Sequence, residues 1–266
     1  MRDFLDRLAE TAKTNINKSY YENAASAATV PASLKQKIIQ SKAAAVVAEI
    51  KGASPSKGIL KKNFAPDEIA KAMSRGGAIG ISVLTEPKFF HGSLSYLAKV
   101  REAVTLSILM KDIIISPIQL DAAVQAGANA VLLIQALFDR NYCECDASAM
   151  IDEAHKRNLE VLLETHNKTE FSRATESAAD LVGINNRDLR TLVVDLNVTR
   201  DILSCGISHG KVVVSESGIN SAADVQFLQS CGAKAFLVGS AIMLANDIEA
   251  KVKELVEADG KQQIGK

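Results

Sequence analysis

A set of charged and amide side chains lies at the ends of short apolar runs, where packing alone does not require them. Lysine and glutamate are almost never fully buried unless they are paired, so these positions need a reason. Residues two apart on a strand point to the same side, which groups Glu49 with Lys51 and Asn185 with Arg187. The full set is Glu49, Lys51, Lys111, Glu164, Asn185, Arg187 and Glu216.

Three cations and three carboxylates in one cluster suit proton-transfer chemistry. Burial and close charges shift pKa values, and we expect neighbouring cations to lower the pKa of Lys111 enough for it to protonate a carbonyl oxygen near neutral pH. A neighbouring carboxylate can accept a proton or orient the lysine. One such residue alone is more simply explained as an ordinary ion pair at a strand end. The whole set, at the same end of different runs, favours an active site.

Two glycine-containing segments near the C-terminus predict a phosphate site. Ser217-Gly218 follows one apolar run, Gly239-Ser240 follows the next, and each leads into a helical pattern. Glycine lets backbone N–H groups approach an anion and a helix N-terminus adds its dipole, although glycine also serves ordinary turns. Ser54, in the segment KGASPSKG, can add a hydroxyl donor, but that segment lacks the P-loop pattern.

The elements that must position these residues are apolar runs separated by amphipathic helical segments. Each run has the length of a strand and is apolar enough to be buried on both faces. Strand followed by helix, eight times over, predicts an α/β fold, the TIM (β/α)8 barrel, whose active sites lie at the C-terminal strand ends. The runs are VVAEIK (46–51), IGISVLT (79–85), SILMKD (107–112), AVLLIQ (130–135), EVLLET (160–165), LVGINNR (181–187), VVVSESG (212–218) and AFLVGS (235–240).

An open doubly wound sheet is the alternative, but the chain lacks the glycine fingerprint that such sheets use to bind nucleotides. If Val47 faces the barrel interior, Glu49 and Lys51 face it too, nearer the mouth. Several helical segments end in Gly-Ala, because glycine takes the left-handed conformation that stops a helix. These helix-ending glycines are Gly77, Gly127 and Gly232.

Length predicts one barrel domain over residues 1–266, with a helical extension over residues 1–45. Residues 2–20 and 34–41 have helical patterns, and they precede the first strand by more chain than a barrel needs. The extension either plugs the bottom of the barrel or folds over the substrate mouth. The sequence leaves both arrangements open.

Composition excludes several classes of function. A formal net charge of zero offers no field to nucleic acid or to an anionic membrane, and no apolar stretch approaches the roughly 20 residues that span a bilayer. With no signal-peptide core, we expect a cytoplasmic protein. The four cysteines lack zinc-ligand spacing and the four histidines form no metal-binding motif, so we expect no metal and read Cys143 and Cys145 as reduced bystander thiols.

The chain resembles the indole-3-glycerol phosphate synthase family. The motifs VVAEIKGASPSKG, SVLTEPKFFHGS, LMKD, LLET, GINNRDLRTL, VVVSESGI and FLVGSAIM occur in the order and at the spacing of that family. The resemblance runs from about residue 4 to about residue 257. It implies closure of a carboxyphenylamino deoxyribulose 5-phosphate to an indole, with loss of carbon dioxide and water, and it implies no cofactor. The expected partner is that small-molecule phosphosugar-anthranilate substrate, bound by a monomer.

The resemblance also implies roles for individual residues. Lys111 matches the general acid that protonates the sugar carbonyl, and Glu164 matches the group that serves later proton transfers and dehydration. Lys51 matches a lysine that pairs with the substrate carboxylate and can share the acid role. Glu49 and Glu216 match carboxylates that orient the lysines. The matched substrate-binding residues are Asn185 and Arg187 for polar groups, Ser54, Ser217, Gly218, Gly239 and Ser240 for phosphate, and Phe90, Leu189 and Leu237 for the ring and its surroundings.

The chain departs from the family pattern at a few positions without losing a matched catalytic residue. Ile113, Ser116 and Ile118 replace an aromatic, an acid and a tyrosine, and Asn129 stands where aspartate is usual. We expect changes in packing and in the shape of the aromatic pocket. Two other functions stay open. A phosphosugar isomerase barrel, such as phosphoribosylanthranilate isomerase, would need an Asp/Cys or Asp/Asp pair, and a non-catalytic phosphate-binding barrel would lack the lysines and Glu164.

Overall fold

Short runs rich in Val, Ile and Leu form the strands, and the amphipathic segments between them form helices. The computed structural model describes residues 3–22, 24–28, 30–54, 58–59, 64–204, 206 and 208–258. Within these ranges the strands are β1 (Ala45–Ile50), β2 (Ala53–Ser54), β3 (Gly58–Ile59), β4 (Gly80–Leu84), β5 (Ser107–Lys111), β6 (Ala130–Ile134), β7 (Glu160–Thr165), β8 (Leu181–Asn185), β9 (Val212–Glu216) and β10 (Ala235–Val238).

The helices fill the connections between strands and the two ends of the chain. Within the described ranges they are α1 (Phe4–Asn17), α2 (Leu34–Gln40), α3 (Pro66–Arg75), α4 (Leu94–Ala103), α5 (Ile118–Gln125), α6 (Gln135–Asp139), α7 (Ala147–Lys156), α8 (Lys168–Glu176), α9 (Asn197–Leu203), α10 (Ala222–Ser230), α11 (Ser240–Met243) and α12 (Ile248–Val256). None of these helices is long and apolar enough to cross a lipid bilayer.

Eight parallel strands close into a barrel in the order β1-β10-β9-β8-β7-β6-β5-β4. Closure comes from β1, which pairs with β4 on one side and with β10 on the other. The predicted TIM barrel is therefore confirmed, and each predicted run contains one barrel strand. Most runs extend past their strands at the C-terminal end, because residues such as Lys51, Arg187 and Gly218 already belong to the loops of the mouth, whereas β7 ends with its run at Thr165. The remaining strands, β2 and β3, form an antiparallel pair after β1.

Alternation along the strands divides the core into two layers. Val47 packs with Leu109, Leu132 and Leu237 in the cluster that fills the barrel interior, whereas Val46 belongs to the cluster between the barrel and its helices. Val47 thus faces inward, as the prediction for Glu49 and Lys51 requires. The helix-ending glycines also have the expected conformation, since φ is +94° at Gly77, +88° at Gly127 and +108° at Gly232.

The second helix of the N-terminal extension lies at the bottom of the barrel. Leu34 and Lys35 at the start of α2 donate backbone N–H groups to Glu160 Oε2, at 2.7 and 3.2 Å, and Ser33 donates its hydroxyl to the same carboxylate. Glu160 begins β7, so this contact fixes α2 to the N-terminal ends of the strands. Leu34 and Ile38 then extend the interior core downwards.

The first helix lies at the opposite end, beside the mouth. Phe4 packs edge-on against Phe89, with 5.2 Å between ring centroids. Arg140, in the loop after α6, forms ion pairs with Asp3 and Asp6 at 2.8 and 2.6 Å. The two arrangements that the sequence left open therefore occur together, with α2 below the barrel and α1 at the mouth.

The segment that joins the two helices runs along the outside of the barrel. Near the mouth, Tyr20 donates its hydroxyl to Thr85 O at 2.8 Å and Tyr21 donates to Asp112 Oδ1 at 3.1 Å. Nearer the bottom, Asn129 Nδ2 donates to Val30 O at 2.7 Å. These hydrogen bonds attach the connector to the strand ends of both barrel faces.

Most departures from the family pattern occupy structural positions, but Ile113 also lines the cavity at the barrel mouth. Ile113 is buried in the interior core, Ser116 donates its hydroxyl to Glu144 Oε2 at 2.7 Å, and Ile118 begins α5. Asn129 Oδ1 accepts from Arg101 Nη1 at 3.1 Å and from Ile108 N at 3.0 Å, so the amide serves as a buried crosslink. Cys143 and Cys145 are free thiols.

Candidate active site

The mouth of the barrel holds a cavity of about 620 Å³. Polar groups from the strand ends form part of its wall, and apolar side chains from the loops and from α1 form another part. One predicted site residue of the described part, Glu216, does not line it. Glu216 lies beneath Lys111, and the side chain of Ser54 is outside the described part of the structure. The predicted residues that line the cavity are Glu49, Lys51, Phe90, Lys111, Glu164, Asn185, Arg187, Leu189, Ser217, Gly218, Leu237, Gly239 and Ser240.

Lys111, the last residue of β5, stands between two carboxylates. Its Nζ lies 2.7 Å from Glu216 Oε2 and 3.3 Å from Glu164 Oε2. Burial acts to lower the pKa of Lys111, but the negative charges of Glu216 and Glu164 outweigh burial and raise the pKa well above its ordinary value. The expected lowering was therefore wrong, because the nearest charges are carboxylates and not cations. Without substrate, Lys111 is therefore protonated, and the two carboxylates fix its ammonium group in position.

Glu164, on β7, is surrounded by hydrogen-bond donors and cations. Oε1 accepts from Asn185 Nδ2 at 3.0 Å and lies 3.2 Å from His166 Nε2, while Oε2 faces Lys111. Burial acts to raise the pKa of Glu164, but Lys111, His166 and Asn185 together hold the pKa well below its usual range. The carboxylate is thus ionised and fixed in position at rest.

Glu216, at the end of β9, has a pKa that is shifted in the opposite direction from that of Glu164. It is fully buried, and its Oε1 has no hydrogen-bond partner in the described part of the chain. Burial raises the pKa of Glu216 to about 7, even though Lys111 opposes that shift. Gly183 on β8 makes room for this carboxylate, since a Cβ atom at that position would collide with Oε1. Two carboxylates on one lysine therefore have opposite pKa shifts.

A second lysine–carboxylate pair forms at the end of β1. Lys51 Nζ lies 2.6 Å from Glu49 Oε1, and the lysine side chain retains 15% exposure towards the cavity. Gly239 lies against this pair, and a Cβ atom there would collide with Glu49 Oε1. Gly239 therefore has a packing role beside the pair, in addition to its predicted place in a phosphate site. Lys51 and Lys111 place two ammonium groups on one cavity.

Arg187 connects the floor of the cavity with the loop above it. Its backbone N–H donates to Asn185 Oδ1 at 3.0 Å, and its Nη1 donates to Leu192 O at 3.0 Å. The loop from 188 to 196 thereby lies over the mouth, where Leu189 lines the cavity. Burial lowers the pKa of Arg187. The guanidinium thus has a structural hydrogen bond as well as a face towards the cavity.

The predicted phosphate segments form one side of the mouth. Ser217 and Gly218 have φ values of +67° and +84°, and a Cβ atom at Gly218 would collide with Val194. The segment with Gly239 and Ser240 lies beside them, because β9 and β10 are neighbours. These residues bring backbone groups from two loops to the cavity, as the sequence predicted.

The sequence analysis missed several polar residues of the mouth. Glu86 is fully buried and accepts from the backbone N–H groups of Lys88, Phe89 and Phe90, at 2.9, 2.7 and 3.2 Å, so it shapes the loop that carries Phe90. Asp112 follows Lys111 and lines the cavity, and burial raises its pKa to about 6. Both residues lie within two positions of a barrel-strand end, which was the available signal.

His166 is a third residue that the sequence analysis missed. It stands two positions after Glu164, so the rule that grouped Glu49 with Lys51 applies to it as well. Its side chain is 14% exposed and lies between Glu164 and Glu170. Metal-binding motifs do not identify His166, because a histidine beside a carboxylate is not such a motif. Across the described residues, no group of three or more potential metal ligands occurs.

Comparisons with known proteins agree with this architecture. A family model described as indole-3-glycerol phosphate synthase matches residues 5–255. Among relatives of that name, the one from Neisseria meningitidis serogroup B is 46% identical over 211 residues, covering 79% of each chain. The relative from Geobacillus sp. is 41% identical over 212 residues, and the one from Sulfurimonas denitrificans is 38% identical over 210 residues. They cover 79% of this chain and 80% and 78% of their own lengths.

Solved structures of lower identity share the fold. Thiamine phosphate pyrophosphorylase from Pyrococcus furiosus superposes with a TM-score of 0.60 at 20% identity, covering 85% of this chain and 97% of that one. A 3-hexulose-6-phosphate synthase gives a TM-score of 0.61 at 19% identity, covering 80% and 99%. At these identities the comparison supports the barrel architecture alone.

Proposed function

Since the chain belongs to the indole-3-glycerol phosphate synthase family, we propose that its barrel mouth closes 1-(2-carboxyphenylamino)-1-deoxyribulose 5-phosphate to indole-3-glycerol phosphate, with loss of carbon dioxide and water. The family places the chain among the carboxy-lyases of tryptophan biosynthesis. The observation that carries our assignment of roles is the position of Lys111, which lines the cavity while its ammonium group pairs with Glu164 and Glu216.

Lys111 is the proposed acid for ring closure. As the aromatic carbon attacks the sugar carbonyl, negative charge develops on the carbonyl oxygen and requires a proton. An alkoxide is a stronger base than a carboxylate or an amine, so the proton of Lys111 moves to it although the two glutamates raise the pKa of the lysine. When Lys111 becomes neutral, Glu164 and Glu216 lose the cation that balances them. Glu216, whose pKa is about 7, can then carry a proton, which reduces the unbalanced negative charge next to the neutral lysine.

Lys51 is the proposed partner of the substrate carboxylate. Its ammonium group is fixed by Glu49 before the substrate binds, so little reorganisation is needed when the carboxylate arrives. Decarboxylation then restores the aromatic ring as the carbon–carbon bond to the carboxylate breaks. Either lysine can protonate the leaving hydroxyl in the last step, and Glu164 is the proposed acceptor of the proton released during dehydration. Asn185 holds Glu164 in place for that transfer.

The other residues that line the cavity are the proposed contacts of the aromatic ring and of the phosphate, the two ends of the substrate. Phe90, Leu189 and Leu237 offer apolar surface to the aromatic ring, and α1 adds Phe4 and Leu8. Ser217, Gly218, Gly239 and Ser240 are the proposed phosphate contacts, with Arg187 near the polar chain of the sugar. Ser54 stays a prediction from the sequence. We also propose that residues 1–266 form one domain, including the extension at 1–45, and act as a cytoplasmic monomer without a cofactor.

The test is indole formation, followed by fluorescence, with the purified protein and the carboxyphenylamino deoxyribulose phosphate. Wild-type turnover that disappears in Lys111→Ala supports the assignment. Lys71→Ala is the matched control, because Lys71 is exposed on α3 and pairs only with Glu68 among the contacts of its ammonium group in the described residues. Turnover of Lys111→Ala at the wild-type rate would refute the role of Lys111. Absence of wild-type turnover, with retained phosphate binding, would favour the isomerase or the non-catalytic barrel.

A further inference from the structure

His166 lies against Glu164, two positions further along the chain. It does not line the cavity, and its ring is enclosed between β7 and the first turn of α8. Nε2 is 3.2 Å from Glu164 Oε1, and Nδ1 is 3.5 Å from Glu170 Oε2. One imidazole therefore bridges the proposed proton acceptor and a carboxylate of the helix that follows it.

The contact between His166 and Glu164 depends on charge more than on hydrogen-bond geometry. Nε2 has no aligned hydrogen-bond acceptor in the described structure, although Oε1 is close to it. A proton on both ring nitrogens makes each of the two contacts attractive, whereas a neutral ring would leave one nitrogen lone pair facing a carboxylate. The surroundings thus favour the imidazolium.

Glu170 is held in place by contacts other than the one with the imidazole ring of His166. Its Oε2 accepts the backbone N–H of His166 at 2.8 Å and its Oε1 accepts from Asn167 Nδ2 at 2.6 Å. The charged groups that face the imidazole are Glu164 from its own strand and Glu170 from α8. Lys111 lies at the other oxygen of Glu164, with Glu216 beyond it. Burial acts to lower the pKa of His166, but Glu164 and Glu170 outweigh it and raise the pKa to about 9.

We propose that His166, as an imidazolium, is a positioning residue that keeps Glu164 ionised and aims its second oxygen at Lys111. The role rests on the proposed function, in which Glu164 accepts a proton. The imidazolium and Asn185 hold Oε1, so that Oε2 is left for the exchange of protons in the cavity. Loss of the imidazolium charge at alkaline pH lowers turnover without removing any group that touches the substrate.

The charge of His166 can be measured without substrate. We expect NMR titration of the imidazole ring to give a pKa of about 9 for His166, two or more units above that of an ordinary histidine. His155 is the internal reference, because it pairs with Asp180 on the outer surface, where its side chain is 37% exposed. Glu170→Gln keeps the acceptor for the backbone and removes the charge, so it should lower the pKa of His166 in the same spectra. A His166 pKa near 6.5 in the wild-type protein would overturn the proposal.

Kinetics test the positioning role. We expect His166→Gln to lower kcat about tenfold at pH 7.5 with little change in KM, because Glu164 Oε1 loses one of the two partners that fix its orientation. The wild-type kcat should fall above about pH 9 and this alkaline limb should be absent from His166→Gln. In Glu170→Gln the limb should move to lower pH. His155→Gln should keep the wild-type profile, and circular dichroism verifies that each variant is folded.

The outcomes separate this role from the function it rests on. An unchanged kcat and alkaline limb in His166→Gln would overturn the positioning role while leaving the synthase activity intact. A wild-type protein without turnover would overturn the proposed function and this role with it, and the NMR titration would still report the charge. A purely structural role for His166 predicts lower stability in the variant with an unshifted pH profile, which also overturns the proposal.

Discussion

Replacement of Lys111 by methionine should destabilise the protein in a pH-dependent way. The substitution keeps the length of the side chain and leaves Glu164 and Glu216, at 2% and 1% side-chain exposure, without their shared cation. At an effective dielectric constant of about 20, the two contacts at 2.7 and 3.3 Å correspond to roughly 6 and roughly 5 kcal/mol of Coulomb attraction. Methionine also removes the free-energy cost of burying the ammonium group. The net loss in the free energy of unfolding should therefore be nearer 3–5 kcal/mol at pH 8.

Glu216 determines the direction of the pH dependence. Its folded-state pKa is raised, so its contribution to stability is present at low pH and is lost as pH rises through the folded pKa, about 7 in the wild type. Without Lys111 that pKa rises further, and the loss continues above pH 7 at up to about 1.4 kcal/mol per pH unit. The difference between variant and wild type should therefore shrink to about 2 kcal/mol at pH 6.

Urea unfolding at pH 6, 7 and 8 measures this difference as a free energy of unfolding. The double variant Lys111→Met/Glu216→Gln is the control, because a neutral amide in place of Glu216 should restore about 2 kcal/mol at pH 8 and remove the added pH dependence. A variant as stable as the wild type at pH 8, or one that gains stability as pH rises from 6 to 8, would refute the reasoning.

Three further predictions follow from contacts described above. Gly183→Ala should push Glu216 away from Lys111 and lower kcat at least tenfold in steady-state assays, and wild-type kcat would show that the carboxylate has room to move. Tyr21→Phe should cost about 1–2 kcal/mol in urea unfolding, because Asp112 loses a donor. The raised pKa of Asp112 would rise further from about 6, so the loss should grow as pH rises through about 6 towards 7 and above, and a loss independent of pH would contradict this. Phe4→Ala should raise KM severalfold with kcat nearly unchanged, since Phe4 offers only surface to the substrate, and a fall in kcat alone would argue otherwise.

Local periodicity predicted the barrel and the position of most site residues. Alternation on β1 placed Val47, Glu49 and Lys51 on one side, and the same rule applied to β8 placed Asn185 in the cavity wall. Both results need only the geometry of a strand and the fact that barrel strands all point the same way. The conformation of Gly77 likewise follows from where a helix must stop.

The electrostatic state of the site could not be predicted in this way. The pKa of Lys111 depends on which charges lie within a few ångströms of it, and those charges come from β7 and β9, more than 50 and 100 residues away along the chain. The sequence gives the residue types but not these distances, so the direction of the shift was wrong. His166 was missed for a different reason, because the strand rule that places it beside Glu164 was not extended past the end of the run.

The N-terminal extension has a consequence for how the protein is made. Residues of α1 dock on Phe89, Arg140 and Tyr142, and those of α2 dock on Glu160, so both helices leave the ribosome before their partners. The first barrel strand, β1, acquires both of its neighbours even later, because one of them is β10. The two N-terminal helices and β1 must therefore stay without these partners until later parts of the chain have been synthesised. Because the cavity also needs Gly239 and Ser240, which follow β10, substrate can bind only after that strand has been synthesised.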